Sequence, residues 1–591
     1  MIKYADKVIG FGVSLLLGVA VWLFYAVFYR HHAHYQEEMQ LFLFTSDYLV
    51  EAMSRPGGLS SWLGAFFTQF FYDSFLGAFL LALLMVALQR LVLDAANHIS
   101  RKADYVVLSC LPSIACWMLL LDENYLLSGL VALVISLLAN TLSNYLKNNR
   151  IRIVYYLFMI PFLYWMIGMA SGVFVLLFLQ TEWLREDKIK RGWLIGVSLS
   201  GLLLFVLCPY MAKAVVVQYP IKRFWFAGDY YRYVLQYSVW PFWVFLSAVL
   251  VPLLYKWLPE RKDARRIRWG TVCIQVALLV TLTGWGIAKT ADWKKEEVMA
   301  YNYYARTQKW NSIIAMADKK SPDGPLTVAT LNLALSHKDF LPEYMFSYYQ
   351  NGTDGLIPPF TKEYIACVMT GEVYYYLGLI NAAQHLTFEA MEMIPDYQKS
   401  VRCIKRLAET NLINGDYAVA EKYLYLLQRT LFYRQWATET MTYLRDEGKI
   451  NAHPEWGTLR KYRPGEDFLF SDEEKDMMCG ILFQHNRENR MAYEYLLGYT
   501  LLEKDLEHFR DYYQMGENSV SYKEMPKSYQ EALAYIWSLA QYDAALRPTG
   551  LADNAVRRLE TYRNAYTNVP NPELFLKKDF ENTYWFYYHF R

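Results

Sequence analysis

The pattern of apolar and polar positions divides the chain into two unlike halves. Up to about Thr290 it is a series of long apolar runs; beyond that come charged, tyrosine-rich segments whose apolar residues recur at helical spacing. A helical membrane span needs about 20 mostly apolar residues. Nine runs are read as spans: 8–28, 75–93, 105–121, 125–146, 153–169, 170–184, 192–210, 239–258 and 270–289. The fifth and sixth are short and meet at the small-residue turn Ala170-Ser171-Gly172, so a single re-entrant hairpin is the alternative there. Lys3 and Lys7 give the first run a positive start, but it is long and no A-x-A site follows, which reads as an uncleaved anchor. The pattern predicts an all-α chain, with a polytopic membrane domain over 1–290 and a soluble helical-repeat domain over 291–591.

One stretch interrupts this pattern. Residues 30–74 follow the first span and are too charged, at Glu37, Glu38, Asp47, Glu51 and Arg55, to cross a bilayer. They are also too aromatic for an ordinary aqueous loop. Two amphipathic pieces broken at Pro56-Gly57-Gly58 are expected to lie along a membrane surface, with their acidic groups facing water. On a helix from Gln36, the residues Glu37, Gln40, Phe44, Asp47 and Glu51 share a stripe. Such a stripe is either a solvated face or the place of a general base or metal ligand, where partial desolvation tunes a carboxylate. His31, His32 and His34 add a metal-ligand reading, with His34 and Glu38 four apart, beside the plainer one of interfacial histidines.

Charge placement orients the spans. Lys3, Lys7, Arg101, Lys102, Lys147, Arg150, Arg152, Arg185, Lys188, Lys190, Arg191 and the basic run from Lys256 to Arg268 fall on one side of the membrane. The other side has few cations, so the N-terminus is expected in the cytoplasm and the second half outside it. In a Gram-negative cell that places the protein in the inner membrane and its second half in the periplasm. Three external segments then share one face: residues 30–74, the acidic turn Leu121-Asp122-Glu123-Asn124, and the aromatic, basic loop 213–238. The formal net charge of +2 argues against nucleic acid as a partner. Of seven cysteines, four sit in apolar runs and three show no metal-ligand spacing, so no zinc site or disulfide framework is expected.

In the second half, residues 363–395 place small residues at Gly371, Gly378, Ala383 and Ala390, a bulky Tyr374 in the first helix, and Pro395 at the end. A second copy runs through Ile404, Leu407, Ala408, Gly415, Tyr417, Ala420 and Leu427, with weaker copies at 310–317, 331–349 and 493–513. These units resemble the tetratricopeptide repeat, although Cys367 replaces the usual early Trp. The resemblance implies a solenoid of paired helices whose concave face binds a protein partner. Breaks between sub-blocks are expected at 321–325, 351–359 and 453–465, and most tyrosines are read as repeat core.

No nucleotide loop, nucleophile elbow or zincin signature is present. The plan of residues 1–290 resembles the GT-C class of membrane glycosyltransferases, which use polyprenyl-linked sugar donors. It does so by topology and placement, without an Asp-x-Asp pair or a Trp-Trp-Asp motif. The resemblance implies a catalytic acid near the start of the first external loop, where Glu37 and Glu38 stand. It implies a metal-binding acidic motif, for Mg or Mn, where Asp122 and Glu123 stand, and a cation for the lipid pyrophosphate at Lys222, Arg223 or Arg232. The whole chain is also similar to a group of bacterial membrane proteins with tetratricopeptide tails. Two other functions stay open: a non-catalytic scaffold for envelope assembly, and a lipid or solute transporter. The transporter would normally place ionisable residues within spans, where few are visible.

Overall fold

The computed structural model describes residues 2–185, 191–225, 239–259, 265–394, 399–465, 474–517 and 519–591. Every regular element among them is helical. The described chain forms two compact units. The first is Met1–Glu296 together with Ile394–Val401 and Leu426–Gln435; the second is the remainder. The first unit's main segment ends at Glu296, and two short segments from the second half of the chain belong to that unit.

Six helices in the first unit are long and apolar enough to cross a membrane: Val8–Phe28, Ser74–Ile99, Ser128–Tyr145, Asn149–Leu184, Arg191–Val215 and Gly270–Thr290. Two shorter apolar helices, Asp104–Leu119 and Trp240–Leu254, stand where longer spans were expected. Large apolar side chains remain exposed on these helices, including Phe11, Phe79, Leu203 and Trp285. Inside the bundle, a chain of hydrogen bonds ties three helices together. Ser14 donates to Gln89 at 2.6 Å, and Gln89 donates to Ser109 at 2.6 Å.

The uncertain fifth and sixth runs resolve into a helical hairpin. Asn149–Ile167 and Ser171–Leu184 are separate helices, divided at Gly168, whose φ of 67° and ψ of −146° suit glycine alone. Residues equally far from that turn face each other. Tyr156 stacks on Phe178 with centroids 4.1 Å apart, and Arg152 pairs with Glu182 at 2.8 Å. Glu182 and Arg152 are both buried, an ion pair that the apolar pattern did not reveal.

In the second unit the two clearest repeat copies are helical hairpins. Tyr364–Leu377 is followed by Ile380–Glu392, and Val401–Asn414 by Tyr417–Leu427. Gly378 and Gly415 sit at the turns with φ of 97° and 87°, the left-handed ends that stop a helix. The small residues are where close packing needs them: Ala383, Ala390, Ala408 and Ala420 are fully buried. Residues 321–324 are non-helical, whereas 351–359 includes the short 3-10 helix Gly352–Gly355 and 453–465 contains the helix Trp456–Tyr462. There Gly457 enters the first turn and His453 accepts from the N–H groups of Glu455 and Trp456, so the Gly/Pro-bearing sequence caps a helix instead of breaking the fold.

Candidate functional site

Residues 30–74 form three α-helices where two amphipathic pieces were expected, Arg30–Glu38, Ser46–Met53 and Gly58–Thr68, the last followed by the 3-10 helix Gln69–Tyr72. The expected break at Pro56-Gly57-Gly58 is present, with Gly57 at φ 81°. The Gly57 N–H donates to the Trp165 carbonyl at 2.9 Å, and the Trp165 indole donates to the Met53 carbonyl at 3.1 Å. The continuous helix from Gln36 is not formed. The chain leaves the helix after Glu38, and Thr45 begins a new one by accepting from the Tyr48 N–H. The stripe is thereby divided: Glu37 lies on the first helix, while Asp47 and Glu51 lie exposed on the second.

The acidic groups do not all face water. Glu37 is 3% exposed and Glu38 1%. Burial comes from segments distant in sequence. The Tyr433 hydroxyl donates to Glu37 Oε1 at 2.9 Å, Ser400 donates to the Glu38 carbonyl at 2.5 Å, and the Val401 N–H donates to the Gln40 carbonyl at 3.1 Å. Glu37 lines a small pocket of about 20 Å³, room for a single water, with Gln40, Phe42, Gln69, Phe432 and Tyr433. Tyr72 stacks on Phe432 at 4.9 Å, and Phe70 meets the same ring edge-on, so the wall is aromatic. Glu38 does not line the pocket, which separates two neighbours that sequence reasoning could not rank.

The helix carrying Glu37 is capped from afar. The backbone N–H groups of His31 and His32 donate to the two carboxyl oxygens of Glu296, at 2.8 and 2.9 Å. The carboxyl thus occupies two of the four donors that a helix N-terminus leaves without internal partners. Burial pushes the Glu296 carboxyl up to about 8, against the lowering pull of those two N–H bonds. Its contribution to stability is therefore fully present below the ordinary carboxylate range and is lost as pH rises through about 8. Melting temperatures of the intact protein should fall from pH 5 to pH 8.5. Glu296→Gln should flatten that slope; an unchanged slope would assign the pH dependence to other groups.

Two of the histidines are tied into the surrounding structure. His34 Nδ1 donates to the Phe71 carbonyl at 2.8 Å, which leaves Nε2 to accept from Ser74 at 2.8 Å. His32 lies against Tyr29 with centroids 4.9 Å apart, and burial lowers its pKa to about 4. In the acidic turn, Asp122 accepts from the backbone and side-chain nitrogens of Asn124, both at 2.9 Å. Glu123 pairs with Lys295 at 2.6 Å. Among the described residues no three His, Cys, Asp or Glu side chains come together to hold a metal ion. Lys222 and Arg223 sit on the short helix Ile221–Trp225, Lys222 exposed and Arg223 half-buried, and neither lines the Glu37 pocket. The Phe224 carbonyl there accepts from the Tyr164 hydroxyl at 2.8 Å. Arg232 lies outside the described residues.

Fold and site together define an all-helical protein with several membrane-length helices and a buried carboxylate beside an aromatic pocket. The chain belongs to a family of unknown function (DUF6057), whose profile matches residues 6–591. No curated protein and no solved structure matches it.

Proposed function

We propose that this protein is a membrane glycosyltransferase of the GT-C type. It would transfer a sugar or oligosaccharide from a polyprenyl-linked donor to an extracytoplasmic protein or glycan. The observation that carries the reading is Glu37: a carboxylate with one oxygen on the Tyr433 hydroxyl, set in the wall of an aromatic pocket next to the first span. Six helices are membrane-length, and the count would reach nine if the 149–184 hairpin crosses twice and the two shorter apolar helices also cross. With nine crossings the cation bias would favour a cytoplasmic N-terminus in an inner membrane and a periplasmic tetratricopeptide-like solenoid that presents the acceptor.

In this reading Glu37 takes the proton from an acceptor hydroxyl as that oxygen attacks the anomeric carbon. The bond from that carbon to the lipid pyrophosphate breaks, and the departing pyrophosphate needs positive charge more than a proton. The GT-C resemblance would give that role to Lys222, Arg223 or Arg232, although Lys222 and Arg223 do not line the Glu37 pocket. Asp122 and Glu123 are poorly suited to a divalent cation, since Glu123 is neutralised by Lys295 and Asp122 is engaged by Asn124. No step is therefore routed through a metal.

The test separates the two adjacent acids. Glu37→Gln should lower transfer to the acceptor on the order of 10²–10⁴-fold, read as the periplasmic glycan and glycoprotein profile. Glu38→Gln at equal protein level should leave the profile unchanged. A normal profile in Glu37→Gln cells would return the protein to the scaffold reading.

A further inference from the structure

The second unit contains a cavity of its own, of about 280 Å³. Its lining includes the carboxylates of Glu409, Glu439 and Glu455, the Lys405 ammonium, and the rings of Trp436 and Tyr443. We propose that this cavity binds a cationic group, an alkylammonium or guanidinium, carried by the basic side chain of a polypeptide or by a free amine. The inference goes beyond the transferase reading and does not rest on it.

Charge decides the sign of the ligand. Three carboxylates against one ammonium in the described lining repel phosphate and acidic peptides. The protein's own cations show how the walls receive a positive group. The Lys405 ammonium lies 4.7 Å above the centre of the Trp436 ring and 3.7 Å from Glu409. Directly behind, the Arg406 guanidinium packs 3.7 Å over Tyr375 and pairs with Glu409 at 2.9 Å. Burial raises the Glu409 carboxyl above its ordinary range, and Arg406 and Lys405 offset this only in part.

Geometry decides how the ligand is held. Glu455 is fixed in place, its two oxygens accepting from the Tyr375 hydroxyl at 2.8 Å and from Gln308 at 2.7 Å. Each oxygen keeps capacity for a second donor. The volume lies just below the range of about 300–1,000 Å³ that holds drug-sized ligands, which suits one side chain or a small amine. Trp436 and Tyr443 supply flat apolar surface for the alkyl stem, while the carboxylates meet its charged end.

The experiment uses the full chain in detergent, with binding followed by tryptophan fluorescence and calorimetry. The probes are acetyl-Gly-Arg-Gly-amide, the same peptide with neutral citrulline, agmatine as a free guanidinium, and methyl mannoside. The arginine peptide should bind saturably, at least tenfold tighter than the citrulline peptide, and more weakly as salt is raised. Agmatine binding as tightly as the peptide assigns the site to free amines; tighter peptide binding assigns it to a polypeptide partner. Glu439→Gln, an isosteric change at an exposed position, and Trp436→Leu should each weaken binding on the order of tenfold with an unchanged melting temperature. Equal binding of the arginine and citrulline peptides, tighter binding of methyl mannoside, or no saturable binding of any cation at millimolar concentration would overturn the proposal.

Discussion

Replacing Glu372 by alanine is expected to destabilise the second unit by about 3–5 kcal/mol. Glu372 is buried in the middle of helix Tyr364–Leu377 and faces two guanidiniums, Arg402 at 3.1 Å and Arg406 at 2.6 Å. Arg402 also donates to Asn302 at 2.5 Å. Burial alone would push the Glu372 carboxyl up, but Arg406 and Arg402 together outweigh it and hold the group below the ordinary carboxylate range. Its removal leaves two cations out of water with too little negative charge between them. Glu372→Gln keeps an acceptor and should lose less. Chemical denaturation followed by near-ultraviolet circular dichroism distinguishes the two. A Glu372→Ala protein as stable as the parent would mean that Glu409 and water take over the pairing.

A comparable loss is expected in the first unit when Glu182→Ala strands Arg152. The pair joins the two arms of the 149–184 hairpin at 2.8 Å, with both side chains no more than 4% exposed. A charge left unpaired in a membrane-length helix is costly in proportion to its distance from water. Breaking one partner of a buried pair costs about 3–5 kcal/mol, whereas replacing both by apolar residues of similar volume is often neutral or stabilising. The double change Arg152→Met with Glu182→Leu should therefore recover much of the melting temperature that Glu182→Ala loses in detergent. A double variant as unstable as the single would show that Arg152 is needed for its bond to Asn149 instead.

These two pairs mark where sequence reading stops. Local signals were legible wherever one residue type is required by its own backbone: Gly57 at the loop break, and Gly378 and Gly415 at the hairpin turns. The small residues Ala383 and Ala390 were legible too, because a helix face must be narrow to pack closely. Thr45 was readable as a helix start, from Thr-Ser-Asp before Tyr48, yet the apparent stripe from Glu37 to Glu51 concealed it. Partners far along the chain left no local trace. Glu37 was expected to face water because nothing near it in sequence announces Tyr433 or Phe432. The acidic turn at Asp122 and Glu123 was correctly seen as a turn, but Lys295, which occupies Glu123, stands beyond the last span. Glu296 stands in the first turn of its own helix, and its bonds to His31 and His32 depend wholly on the fold.

The distance in sequence between Glu37 and Tyr433 also imposes an order on biosynthesis. The ribosome completes every membrane-length helix before it reaches the codon for Tyr433, so the early chain inserts with one wall of the pocket still untranslated. A product truncated at the border between the units would keep Glu37 and lose Phe432 and Tyr433. The pocket thus matures only in a chain translated past Tyr433, and shorter products carry the carboxylate without its enclosure.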